Sequence, residues 1–242
     1  MWDRVELKTR AKAVLKKSYW KAFLISLVIM FIGGSESGGG NGTGSRDVKW
    51  SADRFGIQYE SIITIVIIFV IVVFLIRVFL GYVLEVGGRK YFIRAAEDDV
   101  NMGYLGFAFE GNRYIEIIKA MLYRGVLIFL WTLLLIIPGI IKSYAYRMVP
   151  YILADNPNIG YNRAVELSNE MTMGHKCDIW ILDLSFIGWY FLGALALGIG
   201  TLFVRPYEDS TNAELYLKLR AIAINNGMCT YEELNLRKEE VF

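Results

Sequence analysis

The chain has 242 residues, of which 55% are hydrophobic and 21% are charged, and its formal net charge is +2. A soluble domain averages about 45–50% apolar and about 25% charged residues, so this composition favours several membrane spans joined by polar loops. The small net charge gives no argument for a nucleic-acid partner. Cys177 and Cys229 form no Cys-x-x-Cys motif, so neither a disulfide scaffold nor a zinc site is predicted.

The first segment, residues 1–18, is predicted to be a basic amphipathic helix. Apolar side chains from Leu7 to Leu15 recur at helical spacing, and lysines and arginines occupy the other face. Such a helix can lie on an anionic leaflet, so the lipid bilayer and anionic lipid headgroups are predicted partners. A first span from about 19 to 33 follows. A cleaved signal peptide is the alternative, but the basic region is long and no Ala-x-Ala site follows it.

The second predicted span, residues 61–84, is the most apolar part of the chain. It follows a Gly-rich segment, residues 33–59, which is predicted to be a flexible outer loop. Within the run Ile62–Leu84, Arg77 is the one ionised residue. About 20 apolar residues suffice for a helix to cross the bilayer core, and a soluble domain has little reason to build a helix that is apolar on every face.

A polar segment, residues 85–113, separates this span from a third one at about 115–137. Pro138-Gly139 is predicted to break the third helix. The stretch 140–154 that follows is too polar to be assigned as a span by hydropathy alone. It is also too apolar and aromatic for a solvated loop.

The last third of the chain is predicted to hold three further helices. Residues 159–173 form a second amphipathic, interfacial helix, and a strong span covers about 177–197. Gly198-Ile199-Gly200 is predicted to be a tight turn, after which a rather polar helix covers roughly 201–222. Residues 225–242 are predicted to be a polar cytoplasmic tail.

Two topologies compete for these segments. In one, only the four strong spans cross the membrane, and residues 142–176 lie outside. In the other, 140–154 and 201–222 also cross as amphipathic helices. The positive-inside rule favours six helices, because the four-helix topology places four more cations outside. Both topologies put the N- and C-termini in the cytoplasm. The predicted fold is all-α, a polytopic transmembrane bundle of six helices over residues 19–224.

Six sequence blocks carry a resemblance to a known family. They are residues 6–23, IIPGIIKSYAYRMVPYILADNP (136–157), SNEMTMGHK (168–176), LDLSFIGW (182–189), LGIG (197–200) and RPY (205–207). In this order they resemble an uncharacterised bacterial integral-membrane family, domain of unknown function 975. The resemblance implies a bacterial membrane protein and supplies no mechanism. The segment 205–217 departs from the family, whose helix there is more apolar than Glu208–Asn212.

Four charged residues lie in or near the predicted spans and form a candidate intramembrane polar site: Arg77, Lys142, Arg147 and Asp183. A charge at the bilayer centre costs about 2.5–3.5 kcal/mol, so these residues are expected to face a bundle interior, a cavity or the interface. One interpretation is a polar pathway or headgroup site in which Asp183 pairs with Arg147 or Arg77. The other is a structural ion pair or simple snorkelling.

The sequence contains no motif that predicts catalysis. It has no His-Glu-x-x-His, Gly-x-Ser-x-Gly or Walker-type segment, so no enzymatic activity, cofactor or metal is predicted. The predicted function is that of a non-enzymatic integral membrane protein, an accessory or scaffold component of the bacterial cytoplasmic membrane with a membrane-protein partner. The alternative is a small transporter or channel with a polar pathway near Asp183 and Arg147.

Overall fold

Helices build the fold throughout the residues that the computed structural model describes, which are 3–28, 59–195 and 200–236. In these ranges no strand occurs, which confirms the all-α prediction. The helices are α1 (Arg4–Val28), α2 (Tyr59–Ile76), α3 (Tyr82–Ala96), α4 (Arg113–Leu134), α5 (Ile136–Ala145), α6 (Val149–Asp155), α7 (Tyr161–Thr172), α8 (Lys176–Leu195) and α9 (Gly200–Asn225). A π-helical turn, Arg77–Gly81, joins α2 to α3, and a 3₁₀ segment, Met102–Phe109, precedes α4.

Three helical segments in the described residues are long and apolar enough to cross a membrane: Ile63–Ala96, Arg113–Leu134 and Lys176–Leu195. They coincide with three of the four strong predicted spans. The first predicted span, 19–33, is described only as far as the end of α1. Most of the Gly-rich segment 33–59 and most of the predicted Gly198-Ile199-Gly200 turn lie outside the described residues, although Tyr59 begins α2 and Gly200 begins α9.

α1 continues without interruption through the predicted junction between amphipathic helix and first span. Its apolar stripe, which includes Leu7, Ala11 and Leu15, is buried against α9. The two helices are held by Lys218, whose Nζ donates to Glu6 Oε1 at 2.8 Å. The apolar face of α1 therefore packs on protein and is not available to lie on a membrane surface.

The second span extends beyond its predicted end at residue 84, since α3 continues to Ala96. The first part of the polar segment 85–113 is therefore helical and continues from the span. Arg89 and Lys90 are buried because carboxylates on α9 and α6 pair with them. The π-helical turn between α2 and α3 redirects one backbone carbonyl, that of Phe79, which accepts a hydrogen bond from the Tyr114 hydroxyl at 2.9 Å.

The chain turns after α4 at Leu135, three residues before the predicted break. Leu135 has an extended backbone (φ −156°, ψ 138°) and separates α4 from α5. Pro138 and Gly139 lie in the first turn of α5, where proline is tolerated because the backbone N–H would have no partner within the helix. α5 folds back along α4, so the Lys142 ammonium lies 5.1 Å from the centre of the Trp131 ring.

The stretch 140–154 is not the single helix that a crossing requires. It is divided between α5 and α6 by a turn at 146–148. α5 has ten residues and α6 has seven, which at 1.5 Å per residue is about 15 Å and about 10 Å, against a bilayer core of about 30 Å. Every residue of α6 is buried in protein. The prediction of one crossing helix over 140–154 rested on the distribution of cations, which does not show where a turn interrupts a helix.

The remaining predicted elements are formed, with one change at the C-terminal end. The predicted helix 159–173 is α7, and the predicted helix 201–222 is α9, which contains Pro206 without a break. α8 and α9 approach closely, because a Cβ atom on Gly193 would lie 2.7 Å from the backbone nitrogen of Thr201. The tail folds back on α7, where Arg163 Nε donates to Glu233 Oε1 at 2.6 Å.

Candidate functional site

The structure brings together two of the four predicted site residues. Arg147, in the turn before α6, donates from Nη1 to Asp183 Oδ2 on α8 at 2.5 Å. The Tyr144 hydroxyl donates to the same oxygen at 3.0 Å. The second guanidinium nitrogen of Arg147, Nη2, donates to Asn212 Oδ1 on α9 at 3.1 Å. One arginine therefore connects α8 to α9, and Arg147 rather than Arg77 is the partner of Asp183.

The other two predicted site residues lie against aromatic rings. The Arg77 guanidinium is 6.0 Å from the centre of the Tyr82 ring. The Lys142 ammonium lies near the rings of Trp131 and Tyr146, at 5.1 and 5.6 Å. A cation within about 6 Å of an aromatic face is attracted by the ring quadrupole. These two cations therefore belong to separate environments and do not join the Arg147–Asp183 pair.

The sequence analysis missed a second ion pair, at the centre of the bundle. Arg89 Nη1 on α3 donates to Asp209 Oδ1 on α9 at 2.7 Å, and both side chains are at most 10% exposed. Ser26 of α1 donates from its hydroxyl to the other oxygen of Asp209 at 2.6 Å. The Arg89 guanidinium also lies 5.1 Å from the centre of the Tyr151 ring on α6. A single carboxylate thus ties α1 and α3 to α9.

A third cluster surrounds Asp155 at the end of α6. Its Oδ2 accepts hydrogen bonds from Arg220 Nη1 at 2.9 Å and from the Tyr216 hydroxyl at 2.7 Å. Lys90 Nζ lies 3.6 Å from Oδ1. Arg220 also donates from Nη2 to Glu97 Oε1 at 2.8 Å. The Asp155 side chain is 1% exposed, so its charge depends on these partners and not on water.

α9 contributes to all three clusters, and it carries further polar contacts along its length. Glu214 Oε2 lies 3.1 Å from Arg10 Nε of α1, and Glu208 accepts a hydrogen bond from the Tyr190 hydroxyl. At the N-terminal end of α1, the hydrogen bond from Lys218 lowers the pKa of the Glu6 carboxyl. We call this set of contacts the polar spine of α9.

A sequence signal for the polar spine did exist. Asp209, Asn212, Tyr216 and Arg220 recur at spacings of three and four residues and therefore share one face of a helix. The resemblance to the family had marked the polar residues Glu208–Asn212 only as a departure from its pattern, without regard to the face of the helix that they occupy.

The arrangement suits cohesion between helices better than chemistry on a ligand. In the described residues, no group of three or more His, Cys, Asp or Glu side chains is placed to hold a metal ion. Two surface grooves, of about 730 and 400 Å³, lie between α1, α8 and α9, and neither is lined by Arg147 or Asp183. The charged side chains of the polar spine instead point at one another.

Residues 119–223 match the model of a family described as "Protein of unknown function (DUF975)". The matched region contains the Arg147–Asp183 pair and all of the α9 residues in the polar spine, but not Arg89 of α3. The match confirms the resemblance for that part of the chain. The chain matches no curated protein and no solved structure.

Proposed function

We propose that this chain, which carries a DUF975 region over residues 119–223, is a non-enzymatic integral membrane protein. Its role would be that of an accessory or scaffold component of a bacterial cytoplasmic membrane, in contact with another membrane protein. The observation that carries this proposal is the polar spine of α9, in which buried carboxylates are neutralised by cations from other helices. A moving substrate needs polar groups that can exchange partners, whereas these groups hold five helices in one arrangement.

The distribution of exposed apolar side chains supports the membrane location. Every large apolar side chain from Ile63 to Ile76 on α2 is at least 45% exposed. At the tip of the α4–α5 hairpin, Leu133 and Ile137 are 73% and 72% exposed. Exposed apolar surface of this extent is costly in water and is favourable in hydrocarbon. The α8 helix ends in a similar surface, which includes Phe191 and Leu195.

We propose a topology in which the predicted first span, 19–33, and α2 both cross the bilayer, so that the chain returns to the cytoplasmic side. Two helical hairpins, α4–α5 and α8–α9, then enter the bilayer from that side. Because each hairpin returns to the side from which it started, the N- and C-termini are both cytoplasmic however deeply the hairpins insert. The short α5, about 15 Å long, supports partial insertion for the first hairpin. This topology places the same cations on the cytoplasmic side of the membrane as the six-helix prediction does.

A specific observation favours a second candidate function, that of a small transporter or channel. Asp183 Oδ1 is buried and accepts no hydrogen bond from the described residues. A buried carboxylate oxygen without a donor is costly, and in a membrane bundle such a group is a candidate for binding a transported cation or proton. Asp183 is thus the residue at which the two candidate functions give different expectations.

The discriminating experiment compares Asp183→Asn, Arg147→Gln and the double variant in reconstituted vesicles. For a structural pair, the sum of the losses of unfolding free energy in the two single variants should exceed the loss in the double variant by about 0.5–3 kcal/mol. Proton and potassium flux should equal that of protein-free vesicles for every variant. The matched control is Asp178→Asn, whose side chain is 45% exposed at the start of the same helix.

Two results would contradict the accessory proposal. Flux through the wild-type protein that disappears in Asp183→Asn, but persists in Asp178→Asn, would establish the transporter or channel. Strictly additive stability losses would mean that Arg147 and Asp183 do not act as a pair.

The native cysteines provide a test of the topology. Cys177, at the start of α8, is exposed, whereas Cys229 is buried, and burial raises the pKa of its thiol to about 11. A membrane-impermeant maleimide should therefore react with Cys177 first, since the thiolate is the nucleophile. In intact bacteria we expect no labelling because Cys177 faces the cytoplasm, and permeabilisation should allow it. Labelling of intact cells that Cys177→Ser abolishes would support the four-helix topology instead.

A further inference from the structure

A basic and aromatic groove lies on the outer surface of the bundle, between α1, α8 and α9. It consists of two adjoining depressions of about 730 and 400 Å³, which share Trp189 and Tyr207. The α1 wall of the first includes Lys12, Lys16 and Tyr19. The second is lined by apolar residues and glycines beside the shared ring pair: Leu192, Gly193, Gly200, Phe203 and Val204. We call the two depressions together the lysine groove.

The cations at one end of the groove have no carboxylate partners in the described part of the chain. Lys12 and Lys16 line the groove, and Lys8, which lies beside it, shares their face of α1 because the three recur every four residues. The ammonium of Lys8 donates to the Ser185 hydroxyl at 2.6 Å and lies 4.4 Å from the centre of the Phe186 ring. The Lys12 ammonium is 5.7 Å from the centre of the Tyr207 ring. These lysines lie over aromatic rings and a hydroxyl, none of which neutralises them.

Arg10, on the same helix, differs from these lysines because it has carboxylate partners. Arg10 faces α9, where it lies 3.1 Å from Glu214 and 3.9 Å from Glu6. The lysine face has no such acids, and burial together with the nearby charge of Lys12 lowers the pKa of Lys8. The groove therefore concentrates positive charge that an anion would stabilise.

The other end of the groove is suited to hydrocarbon. Trp189, Leu192 and Phe203 are 51%, 59% and 45% exposed, although they are large apolar side chains. Their surface continues onto the exposed apolar end of α8, which the proposed topology places in the bilayer. Tyr19, in the wall between the two ends, is a residue type that is enriched at the membrane–water interface. The groove thus changes from cationic to apolar along its length.

We propose that the lysine groove binds one anionic phospholipid, with its phosphate at Lys12, Lys16 and Thr9 and one acyl chain over Trp189, Leu192 and Phe203. This inference rests on the proposed membrane location and adds a defined lipid site to it. A free phosphate would use only the cationic end, and a zwitterionic lipid would leave the lysines without a net counter-charge. An anionic lipid matches both ends at once.

The test uses the full chain in lipid nanodiscs and the fluorescence of Trp189. Nanodiscs contain phosphatidylcholine with increasing fractions of phosphatidylglycerol whose acyl chains are brominated, and bromine quenches a tryptophan that it contacts. The Trp189 signal is the difference between the wild-type protein and Trp189→Phe. We expect quenching to saturate at a low fraction of the anionic lipid. The same brominated chains on phosphatidylcholine should quench Trp189 no more than their bulk fraction predicts.

Charge variants on α1 separate a defined site from general attraction to an anionic surface. Lys12→Gln/Lys16→Gln should weaken the preference for phosphatidylglycerol about 30-fold, since each of the two lysines near an anionic surface contributes about one kilocalorie per mole. The matched control is Arg4→Gln/Lys21→Gln, which removes the same charge from exposed positions of the same helix outside the groove. The control pair should keep the wild-type preference.

Three results would overturn the proposal. An equal loss in the control pair would mean that the helix is attracted only by its net charge. Equal quenching by brominated phosphatidylcholine would mean ordinary solvation by lipid. Displacement of phosphatidylglycerol by inorganic phosphate, at constant ionic strength, would assign the cationic end to a free anion. Each of these results requires reconstituted protein, whereas failure of the native protein to enter nanodiscs would contradict the membrane location itself.

Discussion

Replacing Asp155 with asparagine is expected to lower the free energy of unfolding by about 3–5 kcal/mol, because it leaves buried cations without their counter-charge. Arg220 and Lys90 are 3% and 9% exposed, and both lie within ion-pair distance of Asp155. The measurement is reversible unfolding of the protein in detergent, followed by circular dichroism. Asparagine keeps the size of the side chain, so a loss of this magnitude would report charge and not packing.

The control for this prediction is again Asp178→Asn, which should cost about 0–1 kcal/mol because its carboxylate is solvated. In the double variant Asp155→Asn/Arg220→Met, part of the loss should be recovered, since the uncompensated cation is removed. Equal losses for Asp155→Asn and Asp178→Asn would contradict the view that the Asp155 cluster holds α3, α6 and α9 together.

Gly87→Ala is expected to destabilise the protein by about 2 kcal/mol, although alanine is the better helix former. A Cβ atom at Gly87 on α3 would lie 2.4 Å from the backbone oxygen of Leu105, in the 3₁₀ segment Met102–Phe109. Backbone atoms cannot move aside as a flexible side chain can, so overpacking should cost about 1–3 kcal/mol. The same unfolding measurement applies, and the 3₁₀ segment should become more sensitive to protease.

Gly188→Ala provides the matched control. Gly188 also lies inside a helix, α8, and a Cβ atom there would meet nothing within 4 Å. Helix propensity alone should make this variant more stable by about 1 kcal/mol. If both alanine variants were stabilised, the close contact between α3 and the 3₁₀ segment would not exist in solution.

The polar spine explains how α9 can be long and yet carry many polar side chains. Twenty-six residues at 1.5 Å each make it about 39 Å long, long enough to cross a bilayer. Its central part, however, carries buried acids that a lipid-facing helix could not tolerate. Arg89 of α3 pairs with Asp209, and Arg147 in the α5–α6 turn donates to Asn212. Arg220 of α9 in turn donates to Asp155 at the end of α6. The polar residues of this segment therefore have partners inside the protein.

Part of the candidate site was accessible from sequence. The cost of placing a charge in a span identified Asp183 and Arg147, and the structure pairs them. The same reasoning could not choose between Arg147 and Arg77. Hydropathy indicates where a residue lies along a helix, but it does not indicate which way its side chain faces around the helix axis. It also missed Arg89 and Asp155, since residues outside the predicted spans were assumed to be solvated.

The local character of each segment was determined by the sequence alone. A run such as Ile62–Leu84 must be helical in hydrocarbon because its backbone has no other partners there, and α2 is helical and apolar on its exposed surface. The amphipathic periods of α1 and α7 likewise indicated faces that are largely buried, such as Leu7 and Leu15 of α1 and Ala164 and Val165 of α7, although Tyr161 is 42% exposed. These properties depend on neighbours within four residues along the chain.

The tertiary structure alone decided which elements meet. The division of 140–154 into α5 and α6, the continuation of the second span to Ala96 and the burial of Asp209 all depend on contacts between residues far apart in sequence. A buried charge is tolerated only where an opposite charge is brought to it. Hydropathy evaluates each residue against an average solvent, so it cannot foresee a counter-ion that arrives from a helix more than a hundred residues away.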